Sequence, residues 1–438
     1  MTFVKHIVDL RDFIEASPSS FHAAHEAGRR LEAAGFSQLA ETAPWPTHGK
    51  FFVIRDGAII AWVVPENATA TTGFNILGAH TDSPSFKLKP KSTTGRYGWL
   101  QAGVEVYGGP LLNSWLDREL QFAGRLVDRD GTETLVATGP LLRFPQLAIH
   151  LDRSSNDGLK LDKQAHMNPI WGQGNPADED LLGLLASRAG VDANTIGGYD
   201  IVVADTQPGA IFGANDEFFA AGRMDNLTSV HAGVVALIAA AGAAEAGEAK
   251  AAGAAQAGGR PVIPVLAAFD HEEIGSASRS GACGPILEDI LTRVSDGLGA
   301  SVSERRRAFA NSLCISADAG HAVHPNYGER HDPANLPVLN GGPLLKINAN
   351  QRYATDAVGA AIWANLCASA GAPYQEFVSN NGVPCGSTIG PLTATRLGIR
   401  TLDVGTPLLS MHSARELCGI ADPYYLARIS ETFFGAAI

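Results

Sequence analysis

The chain has 438 residues, 45% hydrophobic and 18% charged, the balance of a folded globular protein. A formal net charge of −12 argues against a nucleic-acid or anionic-membrane binder, because both partners select surplus Lys and Arg. Five cysteines, at 283, 314, 367, 385 and 418, include no CxxC pair and read as free thiols of a reducing compartment, not as a disulfide framework.

The opening stretch MTFVKHIVDLRDFIEASPSSF is interrupted by charges and lacks the apolar core of a signal peptide. No unbroken run reaches the roughly 18 apolar residues of a membrane helix, so a cytoplasmic location is expected. Residues 4–16 and 20–34 have the spacing of two amphipathic helices, the second opened by Ser19 or Ser20 and closed by Gly35. FFVIRDGAIIAWVVP (51–65) reads as a hairpin turning at Asp56-Gly57. FNILGAH (74–80) reads as a buried strand. From about 95 to 212 the texture changes to alternating, β-rich segments such as WLQAGVEVY (99–107) and ETLVATG (133–139). Beyond about 225, helices near 226–242, 284–297, 355–370 and 421–434 alternate with strands near 262–269, 313–318, 344–347 and 400–404.

That alternation predicts an α/β fold with a mainly parallel sheet flanked by helices. The middle region reads as an insertion. Residues 1–93 and 214–438 form the main domain, and 94–213 an inserted β-rich domain. The Ala/Gly-rich stretch 239–260 reads as a mobile surface loop, and SERRR (303–307) as a solvated helix face.

Candidate chemistry gathers where apolar strands end. FDHEEIGS (269–276) places Glu272 beside Glu273 just after the apolar run PVIPVLAAF. Adjacent side chains on a strand point to opposite faces, so the two carboxylates can take different tasks. Four further segments show similar placement: GAHTDSP with His80 and Asp82, GRMDN with Asp225, ISADAGHAVHP with Asp318, and TPLLSMHSARE with His412. Each is weak alone; Asp225 by itself reads as a helix cap. Together they supply a His, an Asp, a Glu, an Asp and a His. Two divalent ions sharing one bridging carboxylate need that inventory. One glutamate can then ligate metal while its neighbour carries the proton.

GAHTDSPSFKLKP, GRMDN, DHEEIGS, SADAGHAVHPNY, NQRYA, PCGSTIGP and DVGTPLLSMHSARE, in this order over nearly the whole chain, resemble the aspartyl aminopeptidase family, which includes the yeast vacuolar aminopeptidase. The resemblance implies that 1–93 and 214–438 are catalytic and that 94–213 mediates dimerisation. It implies two zinc ions bridged by Asp225. His80 and Asp318 would complete one ion's ligands, Glu273 and His412 the other's. Glu272 would be the general base and acid, and Asp82 would orient His80. His150 in LAIHL would reach a neighbouring subunit's active site within a dodecamer. Lys346 would face an acidic substrate side chain, with His324 and Tyr353 also on the substrate side. His271 would have no ligand role. In related two-zinc peptidases the bond after the bridging aspartate is cis, which implies a cis Asp225–Asn226 peptide.

The expected activity is removal of an acidic N-terminal residue from small peptides by metal-activated water. A divalent ion lowers the pKa of bound water from about 15.7 to about 7, and manganese or cobalt suit the same ligands as zinc. The competing readings are an aminopeptidase for neutral residues such as Leu, an amidase for non-peptides on the same site, and an inactive scaffold. The start of the helix after PCGSTIGP is a further candidate anion cradle.

Overall fold

The computed structural model describes residues 2–245 and 261–436. The Ala/Gly-rich stretch lies inside the described residues only as far as 245, where it prolongs the helix Met224–Glu245; the rest of the expected loop lies outside them. The first two helices are Phe3–Glu15 and Ser20–Ala33. Ser19 is the cap of the second, its hydroxyl accepting the His22 N–H. The hairpin forms as Gly49–Arg55 and Ala58–Val64, with Asp56 in the left-handed region at φ +56° as its turn requires.

The main sheet has nine strands in the spatial order Ser37–Gln38, Gly49–Arg55, Ala58–Val64, Val262–Phe269, Gly73–His80, Leu313–Ala317, Arg400–Gly405, Leu344–Lys346 and Gln375–Phe377. Its centre is parallel: Val262–Phe269, Gly73–His80, Leu313–Ala317 and Arg400–Gly405 all run the same way. Those strands are buried almost throughout, as a sheet covered on both faces demands. Their register aligns the strand ends. Phe269 pairs with His80 and Ser316 with Gly78, so residues 269, 80 and 318 are level at one carboxyl edge.

The helix Met224–Glu245 lies across this sheet. At Gly233 a Cβ would come within 2.5 Å of Leu266 Cδ1, so glycine lets the helix approach the strand closely. Its Met224–Ala243 segment is long and apolar enough to cross a membrane, where none was expected. Polar residues from Asp225 to His231 break the run in sequence, and the helix is covered by the sheet and by Phe3–Glu15 and Asp422–Gly435, as a core helix is.

A small sheet ordered Ala210–Phe212, Phe218–Ala221, Glu416–Gly419, Pro407–Leu409 and Gly320–His321 flanks the carboxyl edge. A third, antiparallel sheet of six strands runs from Ser85 to Asp205 and has its own apolar core around Phe86, Phe122 and Phe144. Position 93/94 lies inside its strand Ser85–Arg96, all of which belongs to the third sheet and pairs with Trp99–Tyr107 across a register shift between Leu88 and Thr93. Sequence reading overlooked the helix Leu181–Ala189; the helix start expected at PCGSTIGP is that of Ile389–Leu397.

The N-terminal helix docks on the core helix through buried histidines. His6 and His231 rings meet edge-on at 4.9 Å, and His231 Nε2 lies 2.7 Å from Asp9 Oδ2. Burial, then the neighbouring His231, push His6 down to about 3. Asp9, bonded to His231 and near Arg30, stays ionised with its carboxyl down at about 2. An unfolded His6 binds its proton from pH 6.5 downward, the folded one only near 3, so this stability is complete above 6.5 and is lost as pH falls toward 3. The loss expected from His6 is on the order of 2 kcal/mol by about pH 5. Denaturant midpoints of His6→Leu measured against pH will show a flatter acid limb than the parent chain.

Candidate active site

Four separate segments meet at the carboxyl edge. His80 closes its strand and Asp318 follows Ala317 on the neighbouring one. Asp225 enters from the small sheet, after the strand Phe218–Ala221, with non-helical backbone and a cis peptide to Asn226. His412 sits in the turn between Pro407–Leu409 and Glu416–Gly419, at φ +66°. Gly405 makes room for this crossing, since a Cβ there would lie 1.6 Å from the Asp318 carbonyl oxygen.

The side chains form two groups that share Asp225. His80 Nε2 lies 3.3 Å from Asp225 Oδ1 and 3.4 Å from Asp318 Oδ1. His412 Nε2 lies 3.5 Å from Asp225 Oδ2 and 3.4 Å from Glu273 Oε2. Within each group the nearest ligand atoms fall within 4.8 Å of one another. Each imidazole points its Nε2 inward while Nδ1 faces a carbonyl: Asp82 O at 3.0 Å for His80, Gly109 O at 3.1 Å for His412. With the proton on Nδ1, both Nε2 lone pairs face the carboxylates, the arrangement in which histidine binds metal.

The electrostatics are those of anions crowded out of water. Burial, then the charge of Asp225, drive Glu273 well above the usual carboxyl range. Burial, with Asp318, Asp225 and Asp82 adding to it, raises Glu272 to about 8. Burial opposes a charged His412, but its carboxylate neighbours win and lift it to about 10. Asp225 Oδ1 is buried without a hydrogen-bond partner among the described residues. Cations between these groups would relieve each of these costs. The donor set of two imidazole nitrogens and three carboxylates therefore fits divalent ions such as zinc.

Glu272 and Glu273 are held by Asp82. The Asp82 carboxylate accepts the Glu272 N–H at 3.0 Å, the Glu273 N–H at 3.1 Å and the Tyr107 hydroxyl at 2.8 Å. It is also 3.4 Å from His80 Nδ1. Its work is thus wider than orienting His80. The two glutamates are not on a strand: they open a 3-10 turn, Glu272–Ile274, after His271 at φ +65°. Strand alternation therefore does not separate them, and Glu272 also falls in one group with His80 and Glu273. His271 stays apart, its Nδ1 bonded to Ser278 Oγ at 2.9 Å.

On the far side of Asp318, a cleft of about 240 Å³ is lined by His321, His324, Arg330, His331, Tyr353 and Phe377, among others, and by no Asp or Glu. Lys346 sits beneath Tyr353, 5.3 Å from its ring centre and only 2% exposed. Its ammonium donates to Ala319 O at 2.6 Å and lies 3.9 Å from Asp318 Oδ2. His150 is exposed in the six-stranded region and joins neither group. The candidate anion cradle is filled: the Asp403 carboxylate lies against Gly390 at the start of Ile389–Leu397 and accepts the Thr388 hydroxyl. Sequence reading missed Tyr107 and Glu416. Glu416 stands within the TPLLSMHSARE segment, but nothing local marks it as buried.

Comparison with known proteins agrees with this geometry. The family model of the aminopeptidase I zinc metalloproteases (M18) matches residues 13–434. A probable M18 family aminopeptidase 2 of Streptomyces coelicolor is 53% identical over 434 residues, covering 98% of this chain and 97% of that protein. Among solved structures, the Ape4 and Nbr1 complex contains a chain matched with a TM-score of 0.92 at 35% identity, covering 99% of this chain and 86% of that one. The S. cerevisiae mApe1 dodecamer matches with a TM-score of 0.82 at 29% identity, over 98% of this chain and 95% of that one. The chain belongs to the M18 family of zinc aminopeptidases.

Proposed function

We propose that this zinc aminopeptidase is binuclear and removes acidic residues, Asp or Glu, from the N-termini of small peptides. The observation that carries the binuclear reading is the sharing of Asp225 by two ligand groups, His80–Asp225–Asp318 and Asp225–Glu273–His412. When bound there, zinc supplies Lewis acidity toward water and the scissile carbonyl. Glu272 stands beside these groups as the proton carrier. Half-buried beside the two groups, its carboxylate is placed to take a proton from water and hand it to the leaving amine once bound cations offset the neighbouring carboxylates that raise its pKa. Asp82 keeps the Glu272 backbone in place.

The acidic preference rests on the cleft beyond Asp318. His321, His324, Arg330 and His331 line it without a carboxylate; burial holds His321 and His331 toward their neutral forms, in which they can still donate hydrogen bonds to an anionic side chain, and Arg330, 3.7 Å from Glu329, brings a formal positive charge. Tyr353 closes its floor above Lys346. Assembly into a homo-dodecamer is supported by the dodecameric relative. It is supported too by the exposed apolar residues Leu147, Ile149 and Leu151, which flank His150 in the 94–213 region. In that assembly His150 serves a neighbour's site. The five free cysteines favour a cytoplasmic setting.

Four outcomes are expected. With zinc present, kcat/KM for Asp- and Glu-led peptides exceeds that for Leu- and Lys-led ones; a Leu-led winner removes the acidic preference and leaves the chemistry. Glu272→Gln retains zinc but loses about 10²–10⁴-fold in kcat, whereas a chelator abolishes turnover of the parent chain and zinc restores it. Lys346→Met costs Asp-led peptides about tenfold more than Leu-led ones, the scale of one charge-assisted hydrogen bond. Equal losses for both peptides would confine Lys346 to supporting Asp318. For the assembly, light scattering will give the mass of a dodecamer, and His150→Ala will lower kcat without changing that mass.

A further inference from the structure

Glu416 is 2% exposed and opens the strand Glu416–Gly419, directly opposite Ala221. Its two carboxylate oxygens are used separately. Oε2 accepts the backbone N–H of Asp225 at 2.9 Å, and Oε1 accepts the backbone N–H of His412 at 2.8 Å. It forms no ion pair among the described residues. A buried carboxylate without a cation partner is costly, so the position must need what only a carboxylate gives. That need is two acceptors on one rigid fork. A glutamine would turn an NH2 donor toward one of the two N–H groups and leave that donor unmet.

Both backbones that Glu416 grips are irregular. Asp225 has φ −82° and ψ 100° at the mouth of a helix, and His412 is left-handed at φ +66°. Neither has a helix or sheet ladder fixing its N–H. Their side chains are two of the three members of the Asp225–Glu273–His412 group, with Asp225 Oδ2 and His412 Nε2 3.5 Å apart. The His80–Asp225–Asp318 group shares only Asp225 with this clamp; His80 ends one strand of the main sheet and Asp318 directly follows another.

We infer that Glu416 is a positioning residue that sets the spacing of Asp225 and His412, and that it governs affinity for the second ion selectively. The inference rests on the binuclear reading above. Outer-shell partners of metal ligands typically change affinity by about 10–100-fold.

The test is zinc titration of the metal-free protein by calorimetry, on the parent chain, Glu416→Gln and Glu416→Asp, with thermal unfolding of each metal-free form. The parent is expected to bind two equivalents. Glu416→Gln is expected to keep the tighter equivalent within about threefold and to weaken the other about 10–100-fold. Glu416→Asp keeps charge and both acceptors but withdraws them by one methylene, and is expected to weaken the same ion; it decides the matter if the glutamine variant does not fold. Visible spectra of the cobalt-loaded forms should show one of the two sites changed. Equal weakening of both ions, or unchanged affinity in either folded variant, overturns the inference. A parent that binds only one equivalent overturns the binuclear reading itself, and this inference with it.

Discussion

Mutual repulsion of buried carboxylates around Asp225 is the constraint that the rest of this structure serves. Asp225, Glu273, Asp318, Asp82 and Glu416 are all buried or nearly so within one small volume. Left to themselves such groups would take up protons, because low dielectric makes like charges expensive. Two imidazoles drawn up by the same anions cannot balance them all. A fold holds such an arrangement only if cations complete it and if the backbone prevents the groups from spreading apart. Here the backbone does so in two ways. Parallel strands in fixed register bring His80 and Asp318 level, and the small flanking sheet brings Asp225 and His412 against them.

The six-stranded region also reaches the site. Tyr107, the last residue of the strand Trp99–Tyr107, donates to Asp82, and Gly109 offers its carbonyl to His412. Leu111 N–H further bonds the His412 carbonyl, and Ser114 accepts the Ala414 N–H. A shift of this region relative to the main sheet would therefore move both the Asp82 clamp and the His412 imidazole. This connects the apolar core around Phe86 and Phe122, remote from the site, to the aim of the His412 imidazole.

Much of this was readable from the chain alone. The core strands announced themselves by apolar runs, and the polar residues that end those runs had to appear at the sheet's carboxyl edge. His80, Glu273 and Asp318 were legible for that reason, while their roles came from a resemblance spanning many short motifs. What the chain did not disclose was set by partners distant in sequence. Glu416 gains its meaning from Asp225, 191 positions away, and Tyr107 from Asp82 across a turn between sheets. The start of the helix Ile389–Leu397 was legible in PCGSTIGP, but not its occupant: the Asp403 carboxylate, from a later strand, fills the place an external anion would take. Lys346 shows the same limit: the chain displays a lysine beside NQRYA, and only the fold buries its ammonium between Ala319 and Tyr353.

The paired glutamates show how one residue of backbone geometry redirects a pattern argument. Had the strand Val262–Phe269 continued, Glu272 and Glu273 would face opposite sides of the sheet, and one would be lost to the site. The chain instead turns at His271, with φ +65°, into a single 3-10 turn. Successive side chains there are about 120° apart, so neighbours diverge without parting. Glu273 swings under His412 and Asp225 while Glu272 stays beside His80. Asp82 fixes this by taking both N–H groups on its two oxygens. Burial, His80 and Tyr107 act on Asp82 at once, and its hydrogen bonds outweigh burial, so it remains the ionised member that can serve as an acceptor. Two adjacent carboxylates can then differ in task because a third carboxylate, not strand alternation, holds them at different angles to the same two ligand groups.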